Sequence, residues 1–485
     1  MHHCSIRFVL LAVVAACSHG RDVTATCSAD VPGDTPLGAT QVELGEAALP
    51  LSIDSGTGRL RASDTSQLPA WLDAKVLGLG EVTHGTKEVN DLRGSFVLER
   101  ATRPGHHPLV FLIEDELVRA GVADDYLRVG AGTAASGLQA LRAGVWKNRE
   151  LAALLDRLRE INVRGDGANI VFRGIDMQDP IAIAEAVAKS ARVLGATVDD
   201  DLHAFQTDGT AYLQAFDELT AAYRDKAPFD YGPVVVLRKR LLTTLERLGN
   251  ELATAPATGV SSHDRALHLY TIEIARQNVI KNDPLANATS LLRDEPSARG
   301  WLASVTATVL ERDLLGDPND YRDQAMAENV IALVALEGDD AQGLVWAHNG
   351  HIRMGSHPTR AAGGYLKARL GDGYRTIGTE FYSGGFLSAA PPSGSEPPQL
   401  TAFRIESSPP TFFANALARL CLPVALVDLT AAPQALQTAL TTPLNMHSIG
   451  AVYDPSYEPW RTVIGDEFDA VLFIRETSPS QRLLD

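Results

Sequence analysis

Four short apolar runs in this sequence end in residues that could do chemistry. Val76–Gly80 exits into Glu81-Val82-Thr83-His84-Gly85, and Leu109–Ile113 exits into Glu114-Asp115. Ile170–Phe172 passes through Arg173-Gly174-Ile175 into Asp176, and Leu344–Ala347 exits into His348-Asn349-Gly350-His351. Carboxylates beside imidazoles are the parts of general acid–base catalysis. A neutral imidazole takes a proton near pH 7, and a carboxylate orients the ring and stabilises its charged form. The same two Glu and three His could instead bind Zn²⁺ and leave a position for water. Glu81 and His84 are three apart at a predicted strand-to-helix turn, so both can face one pocket, and His348 and His351 share that offset.

Each of these residues also has a structural reading. Glu81 could be a first-turn acid favoured by the helix dipole. Glu114 could pair with a neighbouring arginine, and His348 and His351 could be buried rings bonded to backbone. Asp176 could cap the next helix. Glu150 could line the pocket or pair within the fold. Glu380 follows a predicted strand, where structural pairing is expected, and His106 and His107 read as solvated surface. Arg93 lies nine residues beyond His84. That is half a turn away on an ideal helix of about 100° per residue. Arg93 therefore reaches the pocket only if the helix starts after His84 or bends.

Several alternatives fail on motif. There is no G-x-S-x-G elbow, no G-x-x-x-x-G-K-[ST] loop and no H-E-x-x-H. Gly78-Leu79-Gly80 begins like a dinucleotide fingerprint. Thr83 stands where the third glycine belongs, however, and Glu81 would repel a pyrophosphate.

The elements that must position these residues are legible. The apolar runs, together with Val424–Val427 and Ala470–Ile474, suit buried parallel strands covered by helices on both faces. The class is α/β: a mostly parallel central sheet flanked by helices, with an inserted α-helical lobe. If the strands are parallel, their acids and imidazoles gather on the carboxyl edge, where open α/β sheets bind ligands. Residues 68–181 and 338–485 form the two parts of the α/β core. Residues 182–337 form the helical lobe, since Leu237–Leu252, His263–Val279 and Arg299–Leu310 are apolar at three- and four-residue spacing. Ser388–Gln399 reads as an exposed Pro/Ser/Gly-rich loop.

The remaining segments concern address. Residues 1–17 have a short basic start and the apolar run Phe8–Ala16, which is too short to span a bilayer. The run ends in Val14-Ala15-Ala16-Cys17, which resembles a bacterial lipobox. Lipidation at Cys17 would give an exported lipoprotein tethered to the periplasmic or outer membrane; an ordinary signal peptide cut nearby is the alternative. Residues 18–67 read as a linker and irregular lead-in. Cys27 and Cys421 are either a disulfide or two thiols. Across 485 residues, 60 Asp+Glu against 43 Lys+Arg give a net charge of −17. That acidity argues against a nucleic-acid partner.

Six blocks, in order, resemble the erythromycin esterase family. They are Gly78–Glu88 (GLGEVTHGTKE), Trp146-Lys147-Asn148-Arg149-Glu150, Gly174-Ile175-Asp176, Arg322-Asp323 with Met326-Ala327-Glu328-Asn329, Trp346–Ile352 (WAHNGHI), and Gly450–Pro455. The resemblance runs from about Trp71 to Thr477. It implies an α/β core with a helical lobe and hydrolysis of a carboxylic ester or lactone, with a macrolide as one substrate, and no cofactor or serine nucleophile. It also implies a histidine base at His84, with Glu81, Arg93, Glu114, His348 and His351 as active-site positions. Glu81 or Glu114 would hold the His84 ring. Arg93, His348 or His351 would donate to the developing oxyanion. Glu150 and Asp176 are expected at the substrate. A lipid anchor departs from the family's cytoplasmic members. A metal-dependent hydrolase and a non-catalytic ligand-binding surface lipoprotein remain the competing readings.

Overall fold

The computed structural model describes the chain apart from residues 1–30, 62–66, 104–106, 166, 293–294, 356–358, 392–398, 457 and 484–485. The expected lipidation site Cys17, the signal segment and Cys27 lie outside the described residues.

Eleven strands are described. They are β1 (Ala48–Pro50), β2 (Val76–Glu81), β3 (Leu109–Glu116), β4 (Ile170–Asp176), β5 (Gln342–His348), β6 (Tyr374–Ala389), β7 (Leu400–Ile405), β8 (Val424–Asp428), β9 (Leu444–Met446), β10 (Trp460–Thr462) and β11 (Ala470–Thr477). Nine of them make one sheet in the order β1-β8-β11-β6-β2-β5-β3-β4, with β7 paired to β6 beyond this path. From β4 to β11 every neighbouring pair is parallel. The chain moves outward from β2 toward β3 and β4, then returns after the helical lobe as β5, between β2 and β3. All four chemistry-bearing runs therefore end on one edge.

The fold is the expected α/β sheet, with one correction. Val424–Val427 was expected as a parallel strand, but β8 runs antiparallel to β11, and β1 runs antiparallel to β8. An apolar run reports burial on both faces and carries no direction. The lead-in also contributes more than a linker. Gln41–Glu46 is helical, and Ala48–Pro50 is an edge strand of the main sheet.

Alternation along the strands builds two cores. In β3, Leu109, Phe111 and Ile113 face one side, with Leu92, Phe96 and Leu155. Val110 and Leu112 face the other, with Val187, Leu245 and Leu333 from the lobe. The lobe contains helices Pro180–Leu194, Asp199–Arg224, Gly232–Thr254, Ser262–Lys281, Pro284–Leu291, Ala298–Thr306 and Pro318–Leu336, with no strand among its described residues. No described helix is long and apolar enough to cross a membrane. In the segment expected as a loop, Ser388 and Ala389 belong to β6, and 392–398 lie outside the described residues.

The glycines of Gly78-Leu79-Gly80 serve packing. A Cβ at Gly80 would strike the Asn349 side chain. Asn349 uses that space to brace β6, donating to the Thr379 carbonyl (2.8 Å) and accepting from the Thr379 N–H (3.0 Å). The turn that carries His348 and His351 is thereby locked against the sheet.

Candidate active site

Register sets the geometry. Glu81, the last residue of β2, stands opposite His348, the last of β5. Glu116 of β3 stands opposite Asp176 of β4, beyond an irregularity that starts after Ile113. The helix after β2 begins at Lys87, so His84 lies in the turn before it.

The buried carboxylate of Glu81 is divided between two partners. Oε1 meets Nδ1 of His84, and Oε2 accepts from Arg93. With Nδ1 occupied, no group among the described residues is bonded to Nε2 of His84. The ring lines a cleft of about 290 Å³, shared with Glu114, Glu116, Trp146, Asp176 and Arg322. Burial disfavours a charged His84 ring, but Glu81 outweighs it and raises the pKa above its ordinary value of 6.5. Trp146 packs edge-on at 5.6 Å between ring centroids and donates from Nε1 to the Glu114 carbonyl at 3.1 Å.

Because the helix starts after His84, Arg93 turns inward, to a different place from the cleft. It is 1% exposed and lies 3.7 Å over the centre of the Trp346 ring. Its other contacts are the Leu79 carbonyl and Asn90. Held there, Arg93 cannot reach an oxyanion. It anchors Glu81 from behind.

Glu114 is the hub of a second cluster. Its Oε1 takes Arg322 Nη2 at 3.0 Å and lies 3.1 Å from His351 Nε2, and its Oε2 accepts the His348 backbone N–H at 2.9 Å. Burial would raise its pKa, but His351 and Arg322 hold it well below the carboxylate range. His351 is clamped on its other side by Asp323 at 2.6 Å. Burial lowers its pKa, yet Glu114 and Asp323 outweigh that and push it up to about 10. Nδ1 is committed to Asp323, and Nε2 lies 3.1 Å from both Glu114 Oε1 and Arg322 Nη1, so neither nitrogen is free.

His348 is the opposite case. Its Nδ1 accepts the Gly350 N–H at 3.1 Å, so the proton of the neutral ring sits on Nε2. Burial, reinforced by nearby His84, pushes its pKa down to about 3. Nε2 is buried with no side-chain partner among the described residues; its neighbour is the Val82 carbonyl, which accepts the Ile449 N–H at 2.9 Å and keeps a second lone pair toward the ring. The ring lies 5.4 Å from that of His84, centroid to centroid.

Asp176 pairs with Arg322 at 2.7 Å and accepts from Met177 N–H at 2.9 Å. The helix that follows is capped by Asp179, so the capping reading of Asp176 does not hold. Glu150 is placed outside this cleft. It sits in the first turn of helix Arg149–Arg164 and accepts the Gln481 N–H at 3.1 and 3.2 Å. Glu380 accepts backbone N–H groups of Phe381 and His447, both at 2.9 Å, inside the core. His107 lies near Asp340 on the surface, and His106 is outside the described residues.

Arg322 is the central residue that strand exits do not reveal. It comes from helix Pro318–Leu336, which is tied to β4 by Asn329 donating to the Ile175 carbonyl at 2.8 Å. Glu116 is a second. It is 1% exposed, its Oε1 accepts from Gln178 N–H at 2.8 Å, and its Oε2 has no partner among the described residues. Burial and the adjacent Asp176 push its pKa up to about 8.

A parallel α/β sheet with a lobe between β4 and β5, and histidine–carboxylate pairs on its carboxyl edge, defines the class to which the chain belongs. It is a member of the erythromycin esterase family, whose model matches residues 109–477, more than half of the chain. That stretch includes Glu114, Asp176, Arg322, His348 and His351, and begins after Glu81, His84 and Arg93. Membership suggests a hydrolase acting on a small molecule. Three solved structures share the fold. One is a Bacillus cereus protein at 20% identity and TM-score 0.69, covering 93% of this chain and 100% of that one. A succinoglycan biosynthesis protein is 19% identical with TM-score 0.65, covering 91% and 97%. A histidine-to-asparagine mutant of erythromycin esterase EreC, in its open conformation, is 15% identical with TM-score 0.59, covering 88% and 97%. No curated protein matches the sequence.

Proposed function

We propose that this protein hydrolyses a carboxylic ester or lactone with water activated by His84. The observation that carries this reading is the Glu81–His84 pair. Glu81 holds Nδ1, and Nε2 is left beside the cleft. In the proposed reaction Nε2 takes a proton from water as its oxygen attacks the acyl carbon. The C–O bond to the leaving group then breaks, and the imidazolium returns its proton to the alkoxide. A lactone thus becomes one hydroxy acid, having gained one water. A macrolide is a candidate substrate, on the strength of the family.

The oxyanion donor is assigned to His348. Arg93 is spent on Glu81, and both His351 nitrogens are spent on Glu114 and Asp323, whereas His348 Nε2–H faces only the neighbouring Val82 carbonyl, which already accepts the Ile449 N–H. Such donors are typically worth about 2.7–4 kcal/mol in the transition state. The metal-independent reading is supported by donor geometry. The Glu81 and Glu114 oxygens are committed to cations and N–H groups, and no three His, Cys, Asp or Glu side chains among the described residues are grouped to hold a metal ion. We further place the protein outside the cytoplasm, anchored through lipid on Cys17; this rests on the N-terminal sequence alone. Metabolic labelling with a palmitate analogue, lost in Cys17→Ser, tests it.

The reaction is tested by incubating the full chain with macrolides and simple esters, and seeking products that have gained one water. Hydrolysis by wild type and none by His84→Ala supports the reading. Equal hydrolysis by both contradicts the assigned base.

A further inference from the structure

The catalytic cleft does not end at its polar walls. Gln178, on its rim, also lines a hollow of about 340 Å³ that runs over Leu213, Phe216 and Leu291 of the helical lobe. That hollow shares Pro180, Leu213 and Asn282 with a further one of about 280 Å³, floored by Phe205, Tyr212 and Val279. The three spaces thus adjoin in series through shared lining residues, a trough leading from the His84 cleft past Gln178 and across the lobe.

Two properties of the trough point to its occupant. Its two outer parts are mostly apolar and almost uncharged: among the described residues, Glu185 is the one ionisable acid or base lining them, apart from Tyr212. Three of the chain's exposed large hydrophobic residues lie along it: Ile181 at 68%, Leu213 at 36% and Leu291 at 72% exposure. Apolar surface left in water beside a reaction centre marks a ligand groove. The second property is a spare polar group. Asn282 lines both outer hollows, and its Nδ2 is buried with no partner among the described residues. A buried amide donor without an acceptor costs free energy unless a ligand supplies one.

We infer that this trough is the subsite for a large apolar group of the substrate, so that the substrate is an amphipathic ester. Its reacting carbonyl lies in the polar cleft. Its neutral, apolar portion lies along the lobe and presents a hydrogen-bond acceptor, a carbonyl or ether oxygen, to Asn282, whose buried amide rotates toward the hollow to meet it. This rests on the hydrolase reading of the cleft.

The test compares p-nitrophenyl acetate with p-nitrophenyl octanoate on the full chain, in wild type and in Ile181→Asp/Leu213→Asp. Ile181 is exposed and Leu213 borders on exposed, so the acids can be solvated without breaking the core. In wild type, kcat/KM is expected to rise at least tenfold from acetate to octanoate, and in the double variant the ratio should fall to near one. An octanoate-to-acetate ratio near one in wild type, with hydrolysis still dependent on His84, overturns the subsite and leaves the hydrolase reading standing. Nile red, a neutral apolar dye, reads the trough without turnover. Saturable binding by His84→Ala, weakened at least tenfold when Ile181→Asp/Leu213→Asp is added, supports the subsite even if no ester is cleaved. Equal binding with and without those acids overturns it.

Discussion

Glu81 holds Nδ1 of His84 from the end of β2, and that contact gives the two ring nitrogens different jobs. Nδ1 is fixed to a carboxylate, while Nε2 has no partner among the described residues in a ring that lines the cleft. The pair also sets a pH dependence. Burial lowers the affinity of His84 for its proton, Glu81 raises it, and Glu81 wins. The base works only when neutral, so activity falls as pH drops through this raised value. The acid limb of kcat/KM against pH should lie above 6.5 and move to lower pH in Glu81→Gln. That variant should also lose about 10²–10⁴-fold in rate. A limb left in place by the substitution contradicts the pairing.

His348 should behave as a transition-state donor. Truncation in His348→Ala is expected to lower kcat by about 10²–10³-fold with little change in KM, as for other single oxyanion donors. Steady-state kinetics separates this from a binding role, in which KM rises and kcat holds.

The Glu114–Arg322–His351 cluster makes a prediction about stability. Folding raises the His351 pKa from its ordinary 6.5 to about 10, so the folded chain keeps a proton that the unfolded chain gives up between these values. The resulting stabilisation is whole below about pH 6.5 and is lost as pH rises through 10. Urea midpoints of wild type and His351→Gln should differ most near pH 6 and converge toward pH 10. A gap that widens with pH contradicts the assignment.

Glu116 has the reverse sign. Its pKa rises from 4.5 to about 8 on folding, so the folded state must take up a proton between these values. Wild-type stability should therefore fall as pH rises from 4.5 to 8. Glu116→Gln keeps the shape and removes the ionisation. It should raise the melting temperature at pH 8 and above, by an amount on the order of 2 kcal/mol in stability, with little effect at pH 4.5.

What sequence makes visible follows from chain locality. Glu81, Glu114, Asp176 and His348 end apolar runs, and a parallel sheet brings such ends to one edge, so they can be nominated together. Arg322 cannot be found that way, because it enters from the lobe on a helix whose neighbours in sequence point elsewhere. Arg93 shows the limit of helix arithmetic. Once the helix starts at Lys87, nine residues of separation place Arg93 behind Glu81, away from the substrate side. Glu150 looked equally placed beside a family block, but its carboxylate is consumed by the Gln481 N–H, a contact with a partner 331 positions along the chain. The direction of β8 was illegible for a related reason: burial fixes residue type, while direction depends on where the preceding segment leaves the chain.

The central claim is that His84 delivers water to an acyl carbon, and isotope transfer tests it most directly. The full chain is given an ester or lactone that it cleaves, in water enriched in oxygen-18, under single-turnover conditions with enzyme in excess. The account predicts one oxygen-18 atom in the new carboxyl group, none in the alcohol, and no product from His84→Ala. Label in the alcohol oxygen, or an unlabelled first-turnover acid, would show that water does not attack the acyl carbon and would contradict it.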